Sequence, residues 1–238
     1  MEGLKEFKNK HFGETCFIIG TGPSLKHEDL FKIRDLGFIT FAPNRIYEIC
    51  DSTGWQPTYY ICQDHNIIRA FHDKIKMIKS KFSFLPINHK DLFASPKMKY
   101  FVLRERDYYP GLPKFSKDVP KRLDQGYTVT YGAIQMAAYM GFKTIILLGI
   151  DHNYSVYRDA KGRPVRQSNR DSDYTAGMTH YMTKDTFPRI EESTRAYEKA
   201  EKISKKLGVK IYNATRGGKL EAFERIDIDE FYKSHESK

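Results

Sequence analysis

The sequence predicts an α/β fold: a predominantly parallel sheet with helices on both faces and a long lid-like insertion. Three observations predict it. Short apolar runs that stop at glycine or a polar residue recur at 15–20, 37–42, 58–62 and 144–149, the pattern of strands covered on both sides. Segments of helical period alternate with them, as crossover connections between parallel strands require. Sixteen Phe, sixteen Tyr and one Trp in 238 residues supply large units of apolar burial, enough to offset chain entropy.

The first strand is read at Thr15-Cys-Phe-Ile-Ile-Gly20, and a helix over 25–36 with Leu25, Leu30, Ile33 and Leu36 on its stripe. Ser24 is expected to cap that helix and Gly37 to close it. Strands follow at 37–42 and 58–62, a basic helix at 67–79, and weaker strands at 82–87 and 100–103. Proline and charge make 105–125 an irregular crossover. A helix over 130–141 leads into the central strand at 144–149, which ends at Ile150-Asp151. Residues 154–187 show neither period and carry Arg158, Lys161, Arg163, Arg166 and Arg170; so long a stretch reads as a mobile lid. An amphipathic helix at 188–207 (Ile190, Tyr197, Ala200, Ile203, Leu207) closes at Gly208 before a last strand, 209–212. The expectation is a Rossmann-like α/β architecture in one nucleotide-sugar-binding domain over 1–238, with 154–187 as its lid.

Composition narrows the function. Forty Lys and Arg against thirty Asp and Glu leave a formal charge of +10, which favours an anionic partner. The longest apolar run, 144–150, is far short of the roughly 20 residues of a spanning helix. Three cysteines without a CxxC pair exclude a disulfide framework and a cysteine zinc site. The charged start, 1–10, carries no apolar signal segment, so a cytoplasmic location is expected, with peripheral contact to an anionic membrane left open. Dispersed charge and the lack of an RNA-binding motif argue against nucleic acid.

Five motifs carry chemistry. Gly20-Thr-Gly-Pro-Ser-Leu25 lies between strand and helix, where glycines let the backbone approach a ligand and free amides attract phosphate. Leu148-Gly-Ile-Asp-His-Asn-Tyr154 brings an acid and polar groups to another strand end, although Asp151 alone reads equally well as a turn cap. Asn44, after the second strand, suits a base or sugar but is also a common turn residue. Asp64 and His65 are adjacent, a weak spacing for a metal. His180, late in the insertion, can take a proton near neutral pH, yet a single loop histidine is often incidental.

Taken in order, GTGPSL after the first strand, Asn44 after the second, the GFKTIILLGID segment at 141–151 and a late His180-Tyr181 pair resemble the bacterial sialyltransferases that build lipooligosaccharide. They are similar also to the wider MptE-like and Maf-type group, once called a domain of unknown function, which includes flagellin-glycosylation proteins and archaeal hydroxymethylpterin pyrophosphokinase-like proteins. The resemblance runs from about residue 15 to about 232. It implies that Gly20, Thr21, Gly22 and Ser24 cradle the phosphate of a CMP-sugar, with Thr21 where the family often has Asn. Asn44 matches a ribose- or phosphate-contacting Asn. Gly149, Ile150 and Asp151 match the cytidine-contacting strand end, and Thr130 lies near the donor loop, where Tyr131 interrupts the family pattern. Asp64 joins the donor-side set. Tyr154 and Tyr157 fall near tyrosines that contact the leaving phosphate. Lys184 stands where the family places its base, and His180 matches the histidine before it. Either His180 has taken the role, or the acceptor chemistry differs, or activity is absent.

The expected function is therefore a metal-independent glycosyltransferase of a surface-glycan pathway. It takes a cytidine nucleotide sugar, sialic-acid-like, and a glycan acceptor as substrates, with no further cofactor. His180, Tyr154 and Tyr157 are the catalytic candidates, and Lys184 is a phosphate or carboxylate contact. A magnesium-dependent pterin pyrophosphokinase, with Asp64 and Asp151 as metal ligands, and a non-catalytic nucleotide- or glycan-binding protein are the alternatives.

Overall fold

The computed structural model of the chain describes residues 2–154, 156–158, 164–166 and 188–236. In chain order the strands are β1 (Thr15–Ile19), β2 (Ile39–Pro43), β3 (Tyr59–Ile61), β4 (Phe82–Pro86), β5 (Met98–Phe101), β6 (Leu103–Arg104), β7 (Leu123–Asp124), β8 (Thr144–Leu148), β9 (Val156–Arg158), β10 (Pro164–Arg166), β11 (Lys210–Asn213) and β12 (Glu224–Arg225). The helices are α1 (His27–Asp35), α2 (Tyr47–Thr53), α3 (His65–Met77), α4 (Val129–Tyr139), α5 (Ile190–Leu207) and α6 (Ile228–Glu236).

Eight strands form one sheet in the order β12-β11-β8-β1-β2-β3-β4-β5, and every pairing in it is parallel. Its four central strands, β8, β1, β2 and β3, are the four apolar runs of the sequence. Alternation along each strand divides the core. Cys16, Ile18, Phe41, Tyr59, Ile145 and Leu147 pack toward α4 and α5. Phe17, Ile19, Ala42, Tyr60, Ile146 and Leu148 pack toward α1, α2, α3 and α6. Both faces are covered, so these strands read as continuous apolar runs rather than alternating ones. The architecture is the expected Rossmann-like α/β fold.

From β1 the chain winds outward through β2 to β5, then returns to lay β8 on the other side of β1 and continues to β11 and β12. The direction of winding reverses between β1 and β8, and their carboxyl ends open the crevice where ligands of such sheets bind.

Several local readings change. α1 begins at His27, with Lys26 at its cap position and no side-chain cap; Ser24 lies upstream and bonds elsewhere. Gly37 closes the helix as expected, at φ +75°, with its amide on the Arg34 carbonyl. The 3₁₀ turn at Glu2–Phe7, α2 and α6 carry too short a pattern to have been read from periodicity. Within 154–187, β9 and β10 form an antiparallel pair where no strand was expected; the remainder of the proposed lid lies outside the described residues. No helix among the described residues is long and apolar enough to cross a membrane.

Candidate functional site

At the switch point the loop after β1 is pressed onto the loop after β8. The Gly20 amide donates to the Leu148 carbonyl at 2.7 Å and the Gly22 amide to the Gly149 carbonyl at 3.0 Å. A Cβ on Gly20 would overlap the Gly149 carbonyl, and one on Gly22 would overlap the Asp151 carboxylate. Gly149 itself has φ +70°, a conformation few other residues adopt. The glycines therefore serve first to let two backbones meet. Ser24 Oγ completes the contact by donating to Asp151 Oδ2 at 2.7 Å. Burial raises the Asp151 carboxyl above the usual carboxylate range, and the Ser24 hydroxyl opposes that rise.

A third loop closes the other side. Thr215 Oγ1 accepts from the Ile150 amide at 3.1 Å, and the Lys219 amide donates to the Asp151 carbonyl at 2.7 Å. Gly218, at φ +75°, has no room for a Cβ against the Asp151 backbone. Arg216 anchors this loop to buried Asp29 of α1 through contacts of 2.6 and 3.1 Å, and to Asp229 of α6 at 2.9 Å.

Asn44 follows β2 at φ +48°, an uncommon conformation for a side-chain-bearing residue and a frequent mark of a working position. Its carbonyl accepts from Tyr60 Oη at 2.8 Å, and its Oδ1 accepts from Cys62 Sγ at 3.4 Å. Asp64 has a structural role that its sequence position did not announce. Its Oδ1 accepts from the Asn66 and Ile67 amides at 2.8 and 3.0 Å, which makes it the cap of α3. Thr130 is buried in the first turn of α4, close to Thr128, whose Oγ1 lies 3.1 Å from the Tyr197 hydroxyl of α5.

Two residues at strand ends escaped the sequence reading. Gln63, after β3, is buried, and its Oε1 has no hydrogen-bond partner; a buried acceptor left open usually answers to a water or ligand. His152, beside Asp151, has φ +48° and places Nε2 2.7 Å from Thr194 Oγ1. Thr194 spends its own proton on the Ile190 carbonyl at 2.8 Å, so Nε2 must donate and Nδ1 carries the lone pair. Burial pushes this imidazole down to about 4, so it is neutral at physiological pH. Its ring meets Tyr154 and Tyr197 edge-on. A positive φ leaves no trace in periodicity, and the open acceptor of Gln63 becomes visible only once its neighbours are placed.

The structure thus brings the loop Gly20, Thr21, Gly22, Ser24 against Gly149, Ile150 and Asp151 at the carboxyl ends of β1 and β8. Asn44 stands at the neighbouring strand end, and Tyr154 follows from the β8 loop. Tyr157 falls in β9, of which only the strand pairing is described; His180 and Lys184 lie outside the described residues. Among the described residues no group of three or more His, Cys, Asp or Glu is arranged to hold a metal.

The chain matches the family model described as 6-hydroxymethylpterin diphosphokinase MptE-like over residues 2–156. Its fold is similar to the structure of a Maf glycosyltransferase from Magnetospirillum magneticum AMB-1, with a TM-score of 0.57 at 16% identity. That likeness covers 93% of this chain and 35% of the other, so the chain spans about a third of that protein. No curated protein matches the sequence.

Proposed function

The chain belongs to the MptE-like family, and from that premise we propose that it is a nucleotide-dependent glycosyltransferase moving a sialic-acid-like sugar from a CMP-activated donor to a surface glycan. The observation that carries the reading is the meeting of the Gly20–Ser24 loop with Gly149–Asp151 at the β1/β8 switch point, a crevice in the position where such sheets take nucleotides. The fold-level likeness to a protein called a Maf glycosyltransferase agrees with it.

In this reading the loop amides hold the donor phosphate while Asn44 and Gln63 meet the ribose or base. The acceptor hydroxyl oxygen forms a bond to the anomeric carbon as the bond to the CMP oxygen breaks, through an oxocarbenium-like state. CMP leaves with the electron pair, its phosphate met by Tyr154 and Tyr157. His180 takes the hydroxyl proton and Lys184 contacts the phosphate or carboxylate. The reaction needs no metal in this scheme.

The family description favours a second reading, diphosphate transfer to a pterin. That reaction uses magnesium bound mainly through nucleotide phosphates. Asp151 and Asp64 are the carboxylates that would share such an ion, Ser24 already donating to Asp151 Oδ2 and two cap amides to Asp64 Oδ1. Thermal stabilisation by CMP, CTP, ATP and 6-hydroxymethylpterin, each with and without Mg²⁺, separates the two. The glycosyltransferase reading expects CMP and CTP to stabilise with EDTA present. Stabilisation by ATP and pterin only with Mg²⁺ would replace it with the diphosphokinase.

A further inference from the structure

Beyond β5 the chain builds a second feature on the carboxyl side of the sheet. β6 and β7 pair in parallel, with the Leu123 amide on the Val102 carbonyl and the Gln125 amide on the Arg104 carbonyl. Around this pair opens a cleft of about 590 Å³ lined by Arg104, Glu105, Arg106, Lys121 and Arg122, with Val102 and Leu103. Its charge is unbalanced. Among the described residues no carboxylate pairs with Arg104, Arg106 or Lys121. The single acid of the lining, Glu105, faces His65 Nε2 at 3.6 Å, and His65 in turn bonds His89 at 2.6 Å. Arg122 approaches Asp124 at 3.5 Å, yet its buried Nε makes no hydrogen bond.

Four cations converging on one open cleft, three of them guanidinium forks, are suited to a phosphate or carboxylate rather than a neutral sugar. The segment that follows the cleft packs toward the donor side. Two residues past Arg106, Tyr108 donates to the Glu192 carbonyl at 2.6 Å and its ring lies 5.5 Å from that of Tyr127. Thr128, next in the chain, meets the Tyr197 hydroxyl at 3.1 Å, and Tyr197 packs on His152, the neighbour of Asp151. Contacts of Tyr108 with Tyr127 and of Thr128 with Tyr197, joined by short backbone steps, thus link the segment after the cleft to His152.

We propose that this cleft binds the acceptor, and that the acceptor is a glycan carrying phosphate groups. The acceptor role rests on the transferase reading; the affinity for a phosphorylated sugar does not. The arginines grip the phosphate and the open side admits the rest of the chain, with the reacting hydroxyl directed toward the donor crevice.

The test is an amide NMR titration of the whole chain with mannose 6-phosphate, inorganic phosphate and mannose as probes. Mannose 6-phosphate is expected to shift amides at 102–106 and 121–124 and to weaken with added salt. Inorganic phosphate should bind there at least about fivefold more weakly, and mannose not at all. The exposed pair Arg106→Glu with Lys121→Glu should weaken mannose 6-phosphate at least about tenfold. The charge-matched pair Lys8→Glu with Lys206→Glu, exposed elsewhere, should leave it unchanged and so excludes a general field effect. Shifts confined to 20–25, equal loss in both pairs, or equal affinity for inorganic phosphate would overturn the proposal. A parallel CMP titration tests the donor reading separately: if CMP fails to shift 20–25 while mannose 6-phosphate still maps to the cleft, the transferase reading falls and the anionic-sugar site stands.

Discussion

Ser24 Oγ, in the loop after β1, donates at 2.7 Å to Asp151 Oδ2, in the loop after β8 and 127 residues further along the chain. It offsets part of the cost of burying the Asp151 carboxylate. Ser24→Ala is expected to cost about 1.5–3 kcal/mol at pH 7, the range for a hydrogen bond to a charged group. Because burial raises the Asp151 carboxyl, its contribution to stability falls as pH rises. The deficit of the variant should therefore shrink as the pH is lowered and the carboxyl is protonated. Urea unfolding at pH 7 and pH 4 measures both; a pH-independent deficit would refute the pairing of the two groups.

Gly22 has no room for a side chain because Asp151 occupies it. Gly22→Ala should destabilise the fold by about 1–3 kcal/mol, the scale of overpacking, besides weakening CMP binding. Combining it with Asp151→Gly should recover stability but not binding. A double-mutant cycle with additive stabilities would show that the loop relieves the clash in some other way.

Gln63→Leu tests the open buried acceptor after β3. Removing a polar atom that has no partner should leave the melting temperature equal or higher. If the amide meets the nucleotide, CMP affinity should fall about tenfold, or 1.4 kcal/mol. Unchanged CMP affinity by calorimetry would remove Gln63 from the site.

His152 predicts a pH dependence of stability. Its folded value is lowered to about 4 by burial, whereas the unfolded imidazole titrates near 6.5. As pH falls from about 6.5 toward 4 the unfolded chain takes up a proton that the folded chain refuses, so stability is lost across that window and the loss stops below it. The expected loss between pH 7 and 5 from this group is about 2 kcal/mol. His152→Asn keeps a residue that tolerates positive φ and should flatten the slope by that amount. Equal slopes in the two proteins would show that the imidazole is not held neutral.

His180→Ala addresses the proposed base. Transfer should drop about 100-fold or more while CMP binding persists, the usual consequence of removing an acid–base group. Near-normal transfer would move the proton to another residue.

The central sheet was legible because β8, β1, β2 and β3 are buried on both sides, which leaves short uninterrupted apolar runs with a polar or glycine stop. The crevice was legible for a related reason: GTGPS and GID stand where those runs end. What each residue there does was not. The absent side chain of Gly22 reads in sequence as space for a ligand, but in three dimensions it is space for Asp151. Asp64 reads as a ligand-facing acid until the helix start it caps is fixed at His65. α2 and α6 are only 7 and 9 residues long, too short for a helical period to stand out. The cleft at β6 and β7 depends on two-residue strands meeting across an irregular crossover, which no local pattern announces.

Arg216 holds the last loop of the crevice to Asp29, 187 residues earlier in the chain. During translation β1 to β5 can emerge and pair while the site has only one of its walls. β8 must leave the ribosome before Asp151 meets Ser24, and Arg216 before Asp29 gains its cationic partner. A nascent chain halted before residue 216 would carry a carboxylate in α1 that its completed form buries, and a crevice open on the side of Gly218. Ligand binding should therefore appear abruptly and late in synthesis, after most of the sheet is in place.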